Sequence, residues 1–404
     1  MKGTMQGVTL IADWQPKPGF VLGAKDIEGR QTYLGSQVWR HPRFEIRDYN
    51  IPTPGEEEVL LEVKACGICG SDVHMAQADG DGYIFYPGLT GFPTILGHEF
   101  SGVIVEAGRN ARDKRTNKPF KGGEPVTSEE MLWCGQCKPC ADGQPNHCEQ
   151  LDEVGFNVNG AYTQYMLLPA RTLWSLEPLR QRYTGDGIFV AGSLIEPTAV
   201  AYNAVIERGG GIRPGDRVVI LGAGPVGIAA CAILKRAGAS KVIISETQPQ
   251  RAAMAMQLGA DYHINPAKED FADRVLDITE GMGADLFMEA TGLPEKVYPG
   301  IERVIWEGRT LNSTVVVTAR AEAKMPVTGE VLQVRRARII GAQGHSGHGN
   351  FPRVIECMAS GMDMTPMSTK RISLEELPAN VIKLQTDRSE CKVTYLAKRS
   401  AAST

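Results

Sequence analysis

Apolar residues in this chain follow one period in the first half and another in the second. Val8-Thr9-Leu10-Ile11-Ala12 and Val59-Leu60-Leu61-Glu62-Val63-Lys64-Ala65 are short apolar runs bounded by Gly and Pro, and 100–107 is a third. Such runs predict β-strands joined by turns. Residues 16–40 form an irregular insertion that no period explains. The basic, polar stretch 110–123 reads as an exposed, solvated loop. After Gly209-Gly210-Gly211 the pattern changes. Arg217 to Leu221 is an apolar run closed by Gly222, and beyond Pro225 apolar residues fall at Val226, Ala229, Ala230, Ile233, Leu234 and Ala237. That is helix spacing. Strands are then predicted at 241–245, 261–264, 285–290 and 309–317, and helices at 249–258, 271–279 and 352–360. Repeated βα units imply a parallel sheet covered on both faces, so the fold class is α/β with a β-rich first half.

At 404 residues, the chain is long enough for two domains. Its 42% hydrophobic and 22% charged content is that of a globular protein with a full core. The net charge of -4 argues against a general nucleic-acid partner, which selects a basic surface. The first residues lack the charged and apolar pattern of a signal peptide, and no apolar run approaches the ~20 residues of a membrane span. The expectation is a cytoplasmic protein with no membrane partner. Nine cysteines, an odd number, do not suggest a disulfide framework.

Three clusters bear chemistry. Gly222-Ala223-Gly224-Pro225-Val226-Gly227 lies between a predicted strand and a predicted helix, the context in which glycines admit a pyrophosphate to a helix N-terminus. Glu246, 19 positions after Gly227, ends the next strand, where a carboxylate accepts the ribose hydroxyls of NAD and repels the 2′-phosphate of NADP. Arg251 is placed to lie over the adenine or ribose. The alternative is a glycine-rich turn with no ligand. Second, Cys134, Cys137, Cys140 and Cys148 have the spacing of a closed tetrahedral zinc site, structural because it leaves no open position. His147 is read as a solvent-facing neighbour. Third, Cys69, His98 and a carboxylate offer the mixed donors of a catalytic zinc. Glu196 and Glu99 are the candidate carboxylates, with a salt bridge or helix-start role the alternative for Glu196. Asp72 is read as an acceptor behind His98, and Cys66 as a small buried residue.

Gly67-Ile68-Cys69-Gly70-Ser71-Asp72-Val73-His74, then Gly97-His98-Glu99, the four cysteines, Ile195-Glu196-Pro197 and the glycine turn occur in that order. In this the chain resembles the zinc-dependent medium-chain alcohol dehydrogenases over nearly its whole length. Glu196, where many members carry cysteine, looks like the sorbitol (polyol) dehydrogenase branch. The length and the 344–349 loop look most like its scyllo-inosose dehydrogenase type. The resemblance implies a GroES-like catalytic domain from 1–196 and 342–404, with the cysteine lobe at 130–150. A Rossmann domain would span 197–341. It implies two zinc ions per subunit, NAD, a polyol or cyclitol substrate and a dimer or tetramer. Carried over, Cys69, His98 and Glu196 hold the catalytic zinc with Glu99 beside it, Ser71 takes the alcohol proton, and His74 passes it on. Met75 and the 344–349 loop depart from sorbitol dehydrogenases, which put an aromatic and a Phe-Arg pair there. His345 and His348 contact substrate hydroxyls or are simply polar loop residues. Two other readings compete: a dehydrogenase of simple secondary or amino alcohols, and a non-catalytic NAD sensor with a zinc ribbon.

Overall fold

A computed structural model describes residues 3–23, 32–321, 323–345, 347 and 349–397. His348 and the middle of the 16–40 insertion lie outside the described residues. In the first half, Glu58–Gly67 is the central strand of a mixed sheet. It pairs antiparallel with Glu99–Ala107, Tyr165–Pro169 and Lys392–Leu396. Lys392–Leu396 in turn runs parallel to Ser368–Ile372, so the end of the chain returns to the sheet the first half began. A smaller sheet orders Trp39–Asn50, Thr4–Trp14 and Thr94–Ile95.

The second half forms a six-stranded, all-parallel sheet. Its order is Tyr262–Ile264, Lys241–Ser245, Arg217–Leu221, Leu286–Glu289, Thr314–Val317, Arg338–Gly341. The strand order reverses beside Arg217–Leu221, which is where doubly wound sheets open a ligand crevice. Successive residues serve opposite cores. Val218, Ile220, Val242, Ile244 and Met288 join one hydrophobic cluster, while Val219, Leu221, Ile243 and Phe287 join another. Burial on both faces explains why these strands read as unbroken apolar runs rather than as alternation.

Some boundaries differ from the sequence reading. The strand expected over 309–317 begins only at Thr314, because the Arg309 and Thr310 amides bond Gly281 and Met282 carbonyls in a turn and Asn312 has φ +65°. The helix Pro294–Glu307 and the strand Arg338–Gly341 carried too little local pattern to be predicted. One stretch, Gly187–Arg208, is apolar and long enough to span a membrane by length and composition, contrary to the expectation of none. Its most apolar 18-residue window is 83% buried inside the fold, and the stretch includes the helix Ile195–Tyr202, so core packing accounts for its composition.

The glycine turn positions the crevice. Gly222 has φ +97°, and Gly224 caps the helix Pro225–Arg236. A Cβ on Gly227 would fall 2.0 Å from the Gly222 carbonyl oxygen, a backbone atom that cannot yield. A Cβ on Gly224 would meet nothing within 4 Å. The two glycines therefore answer different demands, one to packing and one to open space. Gly227→Ala is expected to destabilise the fold by about 1–3 kcal/mol or more, as overpacking does. Gly224→Ala should melt at the wild-type temperature, and paired thermal unfolding curves check the contrast.

Candidate metal centres and coenzyme cleft

Cys69 ends the turn after Glu58–Gly67 and caps the short helix Gly70–Ala76. The Asp72 carboxylate closes that cap: its Oδ2 accepts the Cys69 amide at 2.8 Å and the Tyr162 hydroxyl at 2.8 Å. Its Oδ1 lies 3.6 Å from His98 Nδ1, and neither atom has another partner. The far nitrogen, Nε2, lies 3.4 Å from Ser71 Oγ. A carboxylate behind a ligating imidazole fixes its tautomer and aim, the role expected of Asp72. His98 is delivered by Gly97, at φ +93°, where a Cβ would sit 2.4 Å from the Tyr162 ring and 3.0 Å from Cys66 Sγ. Cys66 itself is fully buried and joins no ligand group.

Cys69, His98 and Glu99 each bring one ligand atom within 4.8 Å of the others. Burial, then the charge of Glu99, pushes the Cys69 thiol up to about 12. The donor set suits zinc, which takes thiolate, imidazole and carboxylate, and the sulfur must give up its proton to bind it. Sequence reasoning missed the partner of Glu99. Lys392 Nζ lies 2.6 and 2.5 Å from its two oxygens and 3.0 Å from the Ile68 carbonyl oxygen. Lys392 and Glu99 are 2% and 1% exposed, and 293 residues separate them. Burial disfavours the ammonium, but the charges of Glu99, Cys69 and Glu196 and the hydrogen bond to Glu99 together outweigh it and hold Lys392 above its usual range. The one sequence signal was a lysine inside the apolar strand Lys392–Leu396.

The structure sets Glu196 one step away from Cys69 and His98. Its Oε1 is 3.6 Å from His345 Nε2, and the same nitrogen contacts Glu130 Oε2. Glu130, Glu196 and His345 form a second group with ligand atoms within 4.8 Å, all buried. Burial, then the charge of Glu99, raises Glu196 well above the carboxylate range, which places it beside the first group. Burial pushes His345 down to about 4, while burial and the charge of Glu196 push Glu130 well up. His345 lies against the lobe rather than in solvent. Glu130 gave only a faint signal, two consecutive acids ahead of the cysteines.

Cys134, Cys137, Cys140 and Cys148 bring their sulfurs within 4.8 Å of one another, and all are free thiols. Gln136 and Cys137 amides donate to Cys134 Sγ at 3.5 and 3.4 Å and hold that thiol down at about 6. Cys134 and Gln150 amides donate to Cys148 Sγ, each at 3.3 Å. Amides aimed at sulfur favour thiolates, so the set fits a closed zinc site. His147 is exposed and outside the group.

A cleft of about 590 Å³ runs along the glycine turn. Gly222, Gly224, Val226, Gly227, Glu246 and Arg251 line it, and so do Cys69, His74 and Glu99. The open space over Gly224 fits an approaching pyrophosphate. Glu246 is pinned rather than free: Oε2 accepts the Ala223 amide at 2.7 Å, and Oε1 accepts Thr247 and Gln248 amides at 2.8 Å. Arg251 donates to the Glu390 carbonyl at 3.0 and 3.2 Å, which ties the cleft wall to the end of the chain. Burial, then the positive charge of Arg388, lowers the His74 pKa.

Residues 55–178 match the alcohol dehydrogenase GroES-like domain, and 225–360 match the zinc-binding dehydrogenase domain. The chain is 62% identical to scyllo-inosose 3-dehydrogenase of Thermotoga maritima, over 97% of this chain and 100% of that one. It is 33% identical to L-threonine 3-dehydrogenase of Pyrococcus horikoshii, over 66% and 70%. A solved Thermotoga maritima structure assigned as an alcohol dehydrogenase superposes with a TM-score of 0.93 at 62% identity, covering 97% and 100%. The 2R,3R-butanediol dehydrogenase of Bacillus subtilis shares the fold, with a TM-score of 0.75 at 23% identity over 98% and 100%. These matches rule out the non-catalytic sensor. The chain belongs to the zinc-dependent medium-chain alcohol dehydrogenases: it is an oxidoreductase that uses zinc and a nicotinamide dinucleotide on a small-molecule substrate.

Proposed function

We propose that this enzyme oxidises a secondary hydroxyl of a cyclitol with NAD, scyllo-inosose being the compound named for its 62% identical relative. The observation that carries the reading is that Cys69 and Glu99 line the same cleft as Gly222, Gly224 and Glu246. Cys69 and His98 would hold the catalytic zinc, with Glu99 already beside them and Glu196 as the neighbouring carboxylate. When bound, zinc supplies Lewis acidity to the substrate oxygen and NAD supplies a hydride acceptor. The four cysteines would hold the second, structural ion. Glu246 puts a fixed negative charge where NADP would bring its extra phosphate, which favours NAD. Assembly into a dimer or tetramer and a cytoplasmic location belong to the same reading.

The chain's own residues handle the proton. Ser71 Oγ, beside His98 Nε2, stands where the substrate hydroxyl must come, and His74 follows three positions later on the same helix. A neutral imidazole can accept a proton, and the lowered pKa of His74 keeps it neutral further into acid. Lys392 holds both oxygens of Glu99 and so restrains that carboxylate. A second reading, an amino-alcohol dehydrogenase, draws on the L-threonine 3-dehydrogenase relatives.

Steady-state rates on inositols, inososes, linear polyols and L-threonine, with NAD and NADP side by side, test the proposal. Cyclitols with NAD should give the highest kcat/KM, and a preference for L-threonine would replace it with the second reading. Ser71→Ala should lower kcat by ~100-fold or more, the range of positioned proton transfer, with the zinc content unchanged. Arg388→Gln removes a positive charge near His74, so its pKa should rise. The acid limb of the kcat/KM–pH profile should then move to higher pH.

A further inference from the structure

The catalytic reading leaves Glu130, Glu153 and His345 without a task. We propose that Glu130, Glu196 and His345 form a second seat for a divalent cation, beside the Cys69–His98–Glu99 group. Cys69 and His98 take no part in it; Glu196 is shared with the catalytic reading as its neighbouring carboxylate, so the seat rests on that reading at one residue, and the variants below separate the two.

Geometry comes first. The three side chains are 5%, 5% and 0% exposed, and their ligand atoms lie within 4.8 Å of one another. Two carboxylates and one imidazole are a harder donor set than the thiolate group next to them, and they suit Zn²⁺, Co²⁺ or Mn²⁺. Charge points the same way. Among the described residues no Lys or Arg forms an ion pair with Glu130 or Glu196, and the buried ammonium nearby, Lys392, is held by Glu99. Buried carboxylates need a compensating charge, and a dication would supply it.

An independent observation also points to a ligand. Glu153, 5% exposed, has an oxygen, Oε2, with no hydrogen-bond partner. Its strand, Asp152–Glu153, pairs with Met131–Leu132, and the Val154 amide donates to the Glu130 carbonyl at 2.9 Å. Glu153 is thus fixed beside Glu130, near enough for its charge to act there.

The seat is also rigidly built. Asn350 Nδ2 donates to the His345 carbonyl at 2.9 Å, and the His345 ring packs on Phe351 with centroids 4.7 Å apart. Asn146 Nδ2, from the cysteine lobe, donates to the Gln343 carbonyl at 2.8 Å. A Cβ on Gly344 would fall 2.2 Å from Met131 Cε, so the loop lies flush against the strand that follows Glu130. The lobe, a core helix and one loop therefore each contribute a ligand to a preformed site.

Metal counting tests the proposal. The full-length protein is loaded with Zn²⁺, dialysed and measured by plasma mass spectrometry. Three ions per chain are expected in the wild type and two in Glu130→Gln and in His345→Asn. Two in the wild type, or three in both variants, overturns the proposal. Loading with Co²⁺ instead checks the variants: the thiolate charge-transfer bands should persist in both, so the ion lost is not one bound to sulfur. Should either variant lose those bands by misfolding, wild-type crystals soaked in Mn²⁺ decide. Anomalous density between Glu130, Glu196 and His345 is expected, and its absence overturns the seat. Cys69→Ser, by contrast, should lose one ion and keep the other two; retention of all three would sink the catalytic assignment alone.

Discussion

The Asp72 carboxylate, fully buried, is the joint on which the site hangs. One oxygen takes the amide that starts the helix Gly70–Ala76 and the Tyr162 hydroxyl; the other faces the His98 ring. Cys69 comes from the end of one strand and His98 from the start of another, and without a shared anchor nothing would fix their separation. Burial raises the carboxyl's pKa, while His98, the Cys69 amide and the Tyr162 hydroxyl oppose that rise. Helix start, imidazole aim and the packing of Tyr162 against Gly97 are thereby a single constraint rather than three.

The sheet extends this constraint outward. Glu58–Gly67 pairs with Glu99–Ala107, so the turn bearing Cys69 and the residue after His98 are hydrogen-bonded neighbours, with Gly67 opposite Glu99. The parallel sheet supplies the other wall, where the strand order reverses. A metal group and a nucleotide turn meet in one cleft because each sits at the exit of a central strand.

Much of this was legible in the sequence, for physical reasons that differ by element. The parallel strands showed as apolar runs because both faces are buried, and the glycine turn showed because only glycine tolerates the Gly222–Gly227 approach. The four cysteines showed because local spacing alone brings them together. What stayed hidden depends on tertiary contact. Lys392 and Glu99 pair across 293 residues, and no local period records that. Glu196 was read with Cys69 and His98, yet its side chain leans to His345, whose loop docks on the cysteine lobe through Asn146 and Met131. Arg251 lines the cleft beside Glu246, and the contact only the fold reveals is the bond from its guanidinium to the Glu390 carbonyl. Helix Pro294–Glu307 escaped because Pro299, a residue that helix interiors disfavour, lies inside it, and strand Arg338–Gly341 because it is short and half exposed.

The pairing of Glu99 with Lys392 bears on how the protein is made. Synthesis runs from the N-terminus, so a growing chain can display the loop of Cys69, the turn of His98 and the whole cysteine lobe long before position 392 leaves the ribosome. Until then the Glu99 carboxylate has no ammonium to enter the interior with, and the central strand lacks its Lys392–Leu396 neighbour. Completion of the candidate site is thereby deferred until Lys392–Leu396 has been made, and a chain stopped short of that strand would possess every cysteine of the two candidate metal groups yet lack the ammonium that Glu99 pairs with, leaving an open sheet edge beside an uncompensated acid.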